Sequence, residues 1–139
     1  MNAQAMKDTA RRWIIGIWDH ADFDLFSELA SPGYVFKVPG QEDIGSSALR
    51  EAVVGMHASF PDLNNSIEEQ FADGDVVVTR GTTRGTHRGP FAGAPASGNS
   101  IAVPWVIVTR FSGGLVSEDW ELYDAMALMT QTGAIPKAG

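Results

Sequence analysis

The chain contains no cysteine. That single absence removes disulfide scaffolding, thiolate nucleophiles and thiolate metal sites together. Histidines are few as well, and the 3 present are scattered without paired spacing, so no metal site is expected. Cations are scarce: 10 Lys and Arg stand against 17 Asp and Glu, for a net charge of −7 and a pI near 4.7. Nucleic acid and anionic membrane surfaces are bound through an excess of Lys and Arg, and both are excluded as partners on that ground. No apolar run approaches the ~20 residues of a membrane-spanning helix. Met1-Asn2-Ala3-Gln4 leads into a charged amphipathic stretch rather than a signal segment, so a cytoplasmic protein is expected. The glycine-rich stretch at 81–98 is followed by no Gly-Lys-Ser/Thr, and no Gly-x-Ser-x-Gly elbow occurs. Neither a nucleotide nor any other cofactor is expected.

What is present is a single globular domain, 139 residues with 44% hydrophobic content. Its ordered core is expected over about 5–133, with a loose tail after Gln131. Met6, Ala10, Trp13, Ile14, Ile17 and Trp18 recur at helical spacing and define an amphipathic first helix. A short second helix runs from Asp22 to about Ala30, and Ser31-Pro32-Gly33 stops it. A strand from Tyr34 to Val38 precedes a third helix, which Ser46 or Ser47 is expected to cap, and which carries the stripe Leu49, Ala52, Val53, Met56 and Phe60 and closes at Pro61. From Asp62 onward the period changes to that of strands: Asn64 to Ala72, a turn at Asp73-Gly74, then Asp75 to about His87. Helices first and hairpins second indicate an α+β domain with helices packed on one face of a curved antiparallel sheet.

The last hairpin, Ile101 to Asp124, organises the rest. Gly113-Gly114 supplies the positive φ values of a tight two-residue turn. A regular ladder from that turn sets Phe111 opposite Val116, Thr109 opposite Glu118, Ile107 opposite Trp120, Trp105 opposite Leu122 and Val103 opposite Asp124. Strand alternation then places Val116, Glu118, Trp120, Leu122 and Asp124 on one apolar face, and Ser117, Asp119, Glu121 and Tyr123 on a face that can meet water. A carboxylate on an apolar face needs a partner, a proton or a job.

Trp18-Asp19-His20-Ala21-Asp22, Phe60-Pro61-Asp62-Leu63, Asp73-Gly74-Asp75-Val76-Val77, Gly85-Thr86-His87-Arg88-Gly89 and the closing Trp120…Asp124…Gln131-Thr132-Gly133 occur in order over nearly the whole chain. Together they resemble the SnoaL-like polyketide cyclase family of the NTF2-like superfamily. The resemblance implies a cone in which a strongly curved sheet and helices enclose an apolar pocket, commonly in a homodimer formed through sheet faces. It also implies an intramolecular aldol ring closure without metal or cofactor, with an Asp near the end of the last strand as acid and base; Asp124 occupies the matching place. Lys37 stands where relatives often carry a histidine. Epoxide hydrolases of the limonene type share the fold but place an Asp where Leu122 stands here.

The candidate site follows from both arguments. Asp124 is the expected acid/base, with helix capping as the alternative. His87 is a proton shuttle or a hydrogen-bonded turn residue. Trp105, Trp120, Val103, Ile107 and Leu122 would be pocket walls or plain core. Glu118 faces the same pocket or pairs with Arg80 or Arg84, and His57 borders the third helix's apolar stripe. The expected function is cofactor-independent acid–base chemistry, as cyclase, isomerase or lyase, on a small apolar or aromatic, polyketide-like carbonyl compound. A non-catalytic binding or protein-interaction module is the alternative, followed by an epoxide hydrolase- or dehydratase-like enzyme. Because Pro104, Val106 and Val108 leave the opposite sheet face apolar, a homodimer is also expected.

Overall fold

The computed structural model describes residues 1–136. Helix α1 (Ala3–Trp18) begins where the Asn2 side chain accepts the Ala5 N–H at 2.8 Å, and it buries Met6, Ala10, Trp13, Ile14 and Ile17. The stripe read from the sequence is therefore the face that packs. Helix α2 (Leu25–Leu29) leads directly into strand β1 (Ala30–Lys37), which begins earlier than the expected Tyr34. Helix α3 (Ser46–Ser59) follows; Gly45 stands at its N-cap and no side chain caps it, so neither Ser46 nor Ser47 plays the expected part. Then come β2 (Asn64–Asp73), β3 (Val76–Thr86), β4 (Ser100–Ser112), β5 (Leu115–Tyr123) and a last helix, α4 (Ala125–Gln131). Of the tail expected to be loose, Thr132 is buried and the Ile135 N–H reaches Met129 O at 3.2 Å, while residues 137–139 lie outside the described residues.

The five strands form one curved sheet in the order β1-β5-β4-β3-β2. It is mixed rather than wholly antiparallel, because β1 pairs with β5 in parallel. Two helices and a strand precede α3, so β1 arrives at the far edge of the sheet from the helical layer and not through a hairpin. The helices cover the concave face. Trp13 of α1 meets Phe26 and Tyr34 edge-on at 5.6 and 5.2 Å, in the preferred aromatic geometry. No helix among the described residues is long and apolar enough to cross a membrane.

The β4–β5 ladder corrects the expected register. Ser112 faces Leu115 and Phe111 faces Val116, but the next pair is Arg110 with Glu118. Ser117 is the extra residue of a β-bulge, and its hydroxyl donates to the Arg110 carbonyl at 3.1 Å. One inserted residue moves every later side chain to the other face. Asp119, Glu121 and Tyr123 therefore point inward with Thr109, Ile107 and Trp105, while Glu118, Trp120 and Leu122 point outward with Arg110, Val108 and Val106.

Candidate functional site

The concave face of the sheet and the helices enclose a cavity of about 220 Å³. Its walls are aliphatic and aromatic: Trp18 from α1, Phe36 from β1, Met56 from α3, Phe91 from the β3–β4 connection, and Val103, Trp105 and Ile107 from β4. The lining residues that are exposed are Gln41, Glu42 and Ala52, so the mouth lies between the segment after β1 and helix α3. A volume below the roughly 300–1,000 Å³ of drug-sized sites suits a small ligand.

Few polar groups interrupt these walls, and the important one is Glu121. Burial pushes its carboxyl up to about 8, and the charge of Asp119 pushes the same way. No Lys, Arg or His lines the cavity among the described residues, so no cation reverses the effect. Asp119 lies on the same face of β5, two residues earlier, and is itself buried. Its Oδ2 accepts from Trp13 Nε1 at 2.7 Å and from the Tyr34 hydroxyl at 2.6 Å, and its Oδ1 accepts from the Thr109 hydroxyl at 2.6 Å. Burial raises the Asp119 pKa while these three donors oppose the rise. Burial and the neighbouring Asp119 hold the Tyr34 phenol well above its ordinary value, so it remains a donor. Two carboxyls this close do not both ionise readily. Asp119 has donors that solvate a negative charge and Glu121 has no hydrogen-bond donor among the described residues, so the pair's proton belongs on Glu121. Tyr123, one alternation further along β5, lines the same cavity.

The residues singled out from sequence divide into three groups. Trp105, Val103 and Ile107 line the cavity. Trp120, Leu122 and Glu118 do not, because the Ser117 bulge turns them to the outer face, where Leu122 is 50% exposed. Glu118 is ion-paired there with Lys37 at 3.2 Å, and Arg80 and Arg84 engage Glu69 and Ser66 instead. Asp124 is exposed just past the strand, where its carboxylate accepts the Ala127 N–H at 2.9 Å and caps α4, and it is not among the residues that line the cavity. His87 is buried away from the cavity wall, with Nδ1 2.8 Å from the Ser97 hydroxyl and 3.3 Å from the Ser97 N–H. It secures the β3–β4 connection that carries Phe91. His57 Nε2 donates to the Trp18 carbonyl at 2.7 Å and ties α3 to the end of α1, while its neighbour Met56 is the residue that reaches the cavity.

A regular ladder puts Asp119, Glu121 and Tyr123 on the solvent side, and the bulge reverses this. Thr109, the polar residue of the inward row of β4, faces an acid in either register, Glu118 in the regular ladder and Asp119 in the bulged one, so β4 carries no signal for the shift. Asn65 and Thr83, also on the wall, escaped notice because short polar residues near strand ends read as ordinary edge residues. Among the described residues no group of His, Asp and Glu is arranged to hold a metal ion.

A curved mixed sheet closed by helices around a cavity with a buried acid defines an α+β protein of the NTF2 and ketosteroid isomerase-like class. The chain belongs to the SnoaL-like polyketide cyclase family, whose sequence profile matches residues 8–132. AclR from Streptomyces galilaeus, a candidate hydroxylase, is 24% identical and superposes with a TM-score of 0.87 over 99% of this chain and 87% of its own. A candidate SnoaL-like polyketide cyclase from Jannaschia sp. is 26% identical, with a TM-score of 0.85 over 96% of this chain and 94% of its own. A Catenulispora acidiphila protein with a ketosteroid isomerase-like fold is 17% identical, with a TM-score of 0.72 over 90% and 92% of the two chains. No curated protein matches the chain.

Proposed function

We propose that the protein is a cofactor-independent enzyme in which Glu121 moves a proton on a small, largely apolar carbonyl compound. The observation that carries this reading is the placement of the Glu121 carboxyl on the inward face of β5 in a largely apolar cavity, where burial pushes it up to about 8. A group titrating near neutrality serves as both acid and base, which an ordinary Glu at ~4.3 does poorly. Family membership supports ring closure as the overall reaction. In such a step the Glu121 carboxylate takes a proton from the carbon beside one carbonyl, and the electron pair released forms a bond to the carbon of a second carbonyl. The second oxygen then takes the proton back from Glu121. Atoms balance without oxidant or co-reactant, and the same two proton transfers without bond formation give isomerisation. The Tyr123 hydroxyl supplies a hydrogen bond to the oxygen on which charge develops, and Asp119, fixed by its three donors, keeps Glu121 basic enough to act.

The test does not need the natural substrate. 2-Tetralone is bicyclic and carries exchangeable protons beside its carbonyl, so their replacement in D₂O can be followed by proton NMR. The protein should accelerate exchange with a rate that rises through about pH 8, as Glu121 ionises. Exchange no faster than in buffer would remove the proposal.

A further inference from the structure

A side-chain amide has four hydrogen-bonding positions, two acceptor sites on oxygen and two protons on nitrogen. At Asn65, Oδ1 receives the Thr83 hydroxyl at 2.6 Å and Trp105 Nε1–H at 2.9 Å. Nδ2 donates to Asp19 Oδ1 at 2.6 Å, and the Asn65 backbone N–H donates to Asp19 Oδ2 at 2.9 Å. This network settles the orientation of the amide. An indole N–H only donates and a carboxylate only accepts, so the flipped amide would set donor against donor and acceptor against acceptor. Trp105 reaches Asn65 by laying its indole across the intervening strand at Gly81, where a Cβ would stand 2.5 Å from Trp105 Cζ2 and 2.4 Å from the Ser66 carbonyl. The chain therefore gives up a side chain on β3 to fix an amide on β2. One Nδ2 proton remains, on a residue that borders the cavity.

Asn65 lies on β2 and Glu121 on β5, with β3 and β4 between them. Three strand spacings of about 4.8 Å make roughly 14 Å across a flat sheet; the register adds an offset along the strands, because Asn65 is level with Thr83 and Val103 while Glu121 is level with Ile107, and curvature shortens the path. We propose that the Asn65 amide is a second polar anchor of the cavity, and that the ligand is a flat apolar compound carrying an acceptor oxygen at the end remote from its acidic carbon. The free Nδ2 proton of Asn65 holds that oxygen and so places the carbon beside Glu121. Asn65 acts as a specificity and positioning residue, with Asp19, Thr83 and Trp105 setting its direction. This deepens the proposed function and rests on the cavity being the site.

The experiment compares two probes of similar shape, 2-acetylnaphthalene, which has an acceptor oxygen, and 2-isopropylnaphthalene, which has none. Binding is measured by calorimetry and the Asn65 side-chain amide is followed in ¹⁵N-labelled wild-type protein. The acetyl probe should bind about tenfold more tightly, the effect of one net hydrogen bond, and should shift the Asn65 Nδ2 resonances, which the hydrocarbon leaves in place. Asn65→Leu should abolish the preference. Because that variant also strips Trp105, Thr83 and Asp19 of their partner, the wild-type amide shift decides the matter if it does not fold. Glu121→Gln should lose tetralone exchange yet retain the preference and the amide shift, so the two readings fail separately. Equal affinity for the probes, or an Asn65 amide that the acetyl probe leaves unmoved, overturns the inference.

Discussion

At the scale of single residues, the chemistry follows from where solvation is supplied and where it is withheld. Asp119 receives three hydrogen bonds from Trp13, Tyr34 and Thr109, whereas Glu121 faces aromatic and aliphatic walls. A Glu whose carboxyl titrates at about 8 when folded and near 4.5 when unfolded holds its proton more tightly in the folded state throughout that interval. Its contribution to stability is therefore complete below about pH 4.5 and is lost as pH rises through about 8. The melting temperature of the wild type should fall across this window. Glu121→Gln, which has no proton to lose, should lack that part of the fall and should melt above the wild type at pH 9. Parallel melting curves for the two proteins from pH 5 to pH 9 would contradict the burial of this carboxyl.

At the scale of elements, the Ser117 bulge decides which acid the cavity contains. The apolar stripes of α1 and α3, the strands and the Gly-Gly turn were legible because each is written in local spacing or local φ requirements. The bulge is not: it depends on which of two registers packs better against β1 and α1, where Trp13 and Tyr34 offer two donors to Asp119. From the regular ladder Asp124 looked like the inward acid, and the structure makes it the N-cap of α4. The parallel placement of β1 was equally hidden, since the strand's own residues say nothing about its neighbour. Asp124→Ala should cost about 1 kcal/mol in chemical denaturation, the usual loss for a removed N-cap. Asp124→Asn preserves the cap, so it should unfold at the wild-type denaturant concentration. A large loss of stability in the Asn variant would mean that Asp124 does more than cap.

For the whole molecule, the same bulge that turns Asp119 and Glu121 inward turns Trp120 and Leu122 onto the outer sheet face. Phe71, Val78, Val108 and Trp120 form one row across four strands, with Val106 and Leu122 beside it. Phe71 is 58% exposed and Leu122 50%, more than a lone monomer needs to leave in water. We propose that a second copy of the chain covers this face in a homodimer. Sedimentation at micromolar concentration should show a dimer for the wild type and a monomer for Leu122→Asp. A monomeric wild type removes the proposal.

Glu121, and not Asp124, is the residue proposed to move the proton. The most direct measurement is deuterium exchange into 2-tetralone by three proteins with matched melting curves: wild type, Glu121→Gln and Asp124→Asn. Glu121→Gln should lose about 10²-fold or more of the exchange rate, while Asp124→Asn, which keeps the cap and is not part of the cavity lining, should exchange like the wild type. Wild-type exchange by Glu121→Gln, or its loss in Asp124→Asn alone, would contradict this assignment.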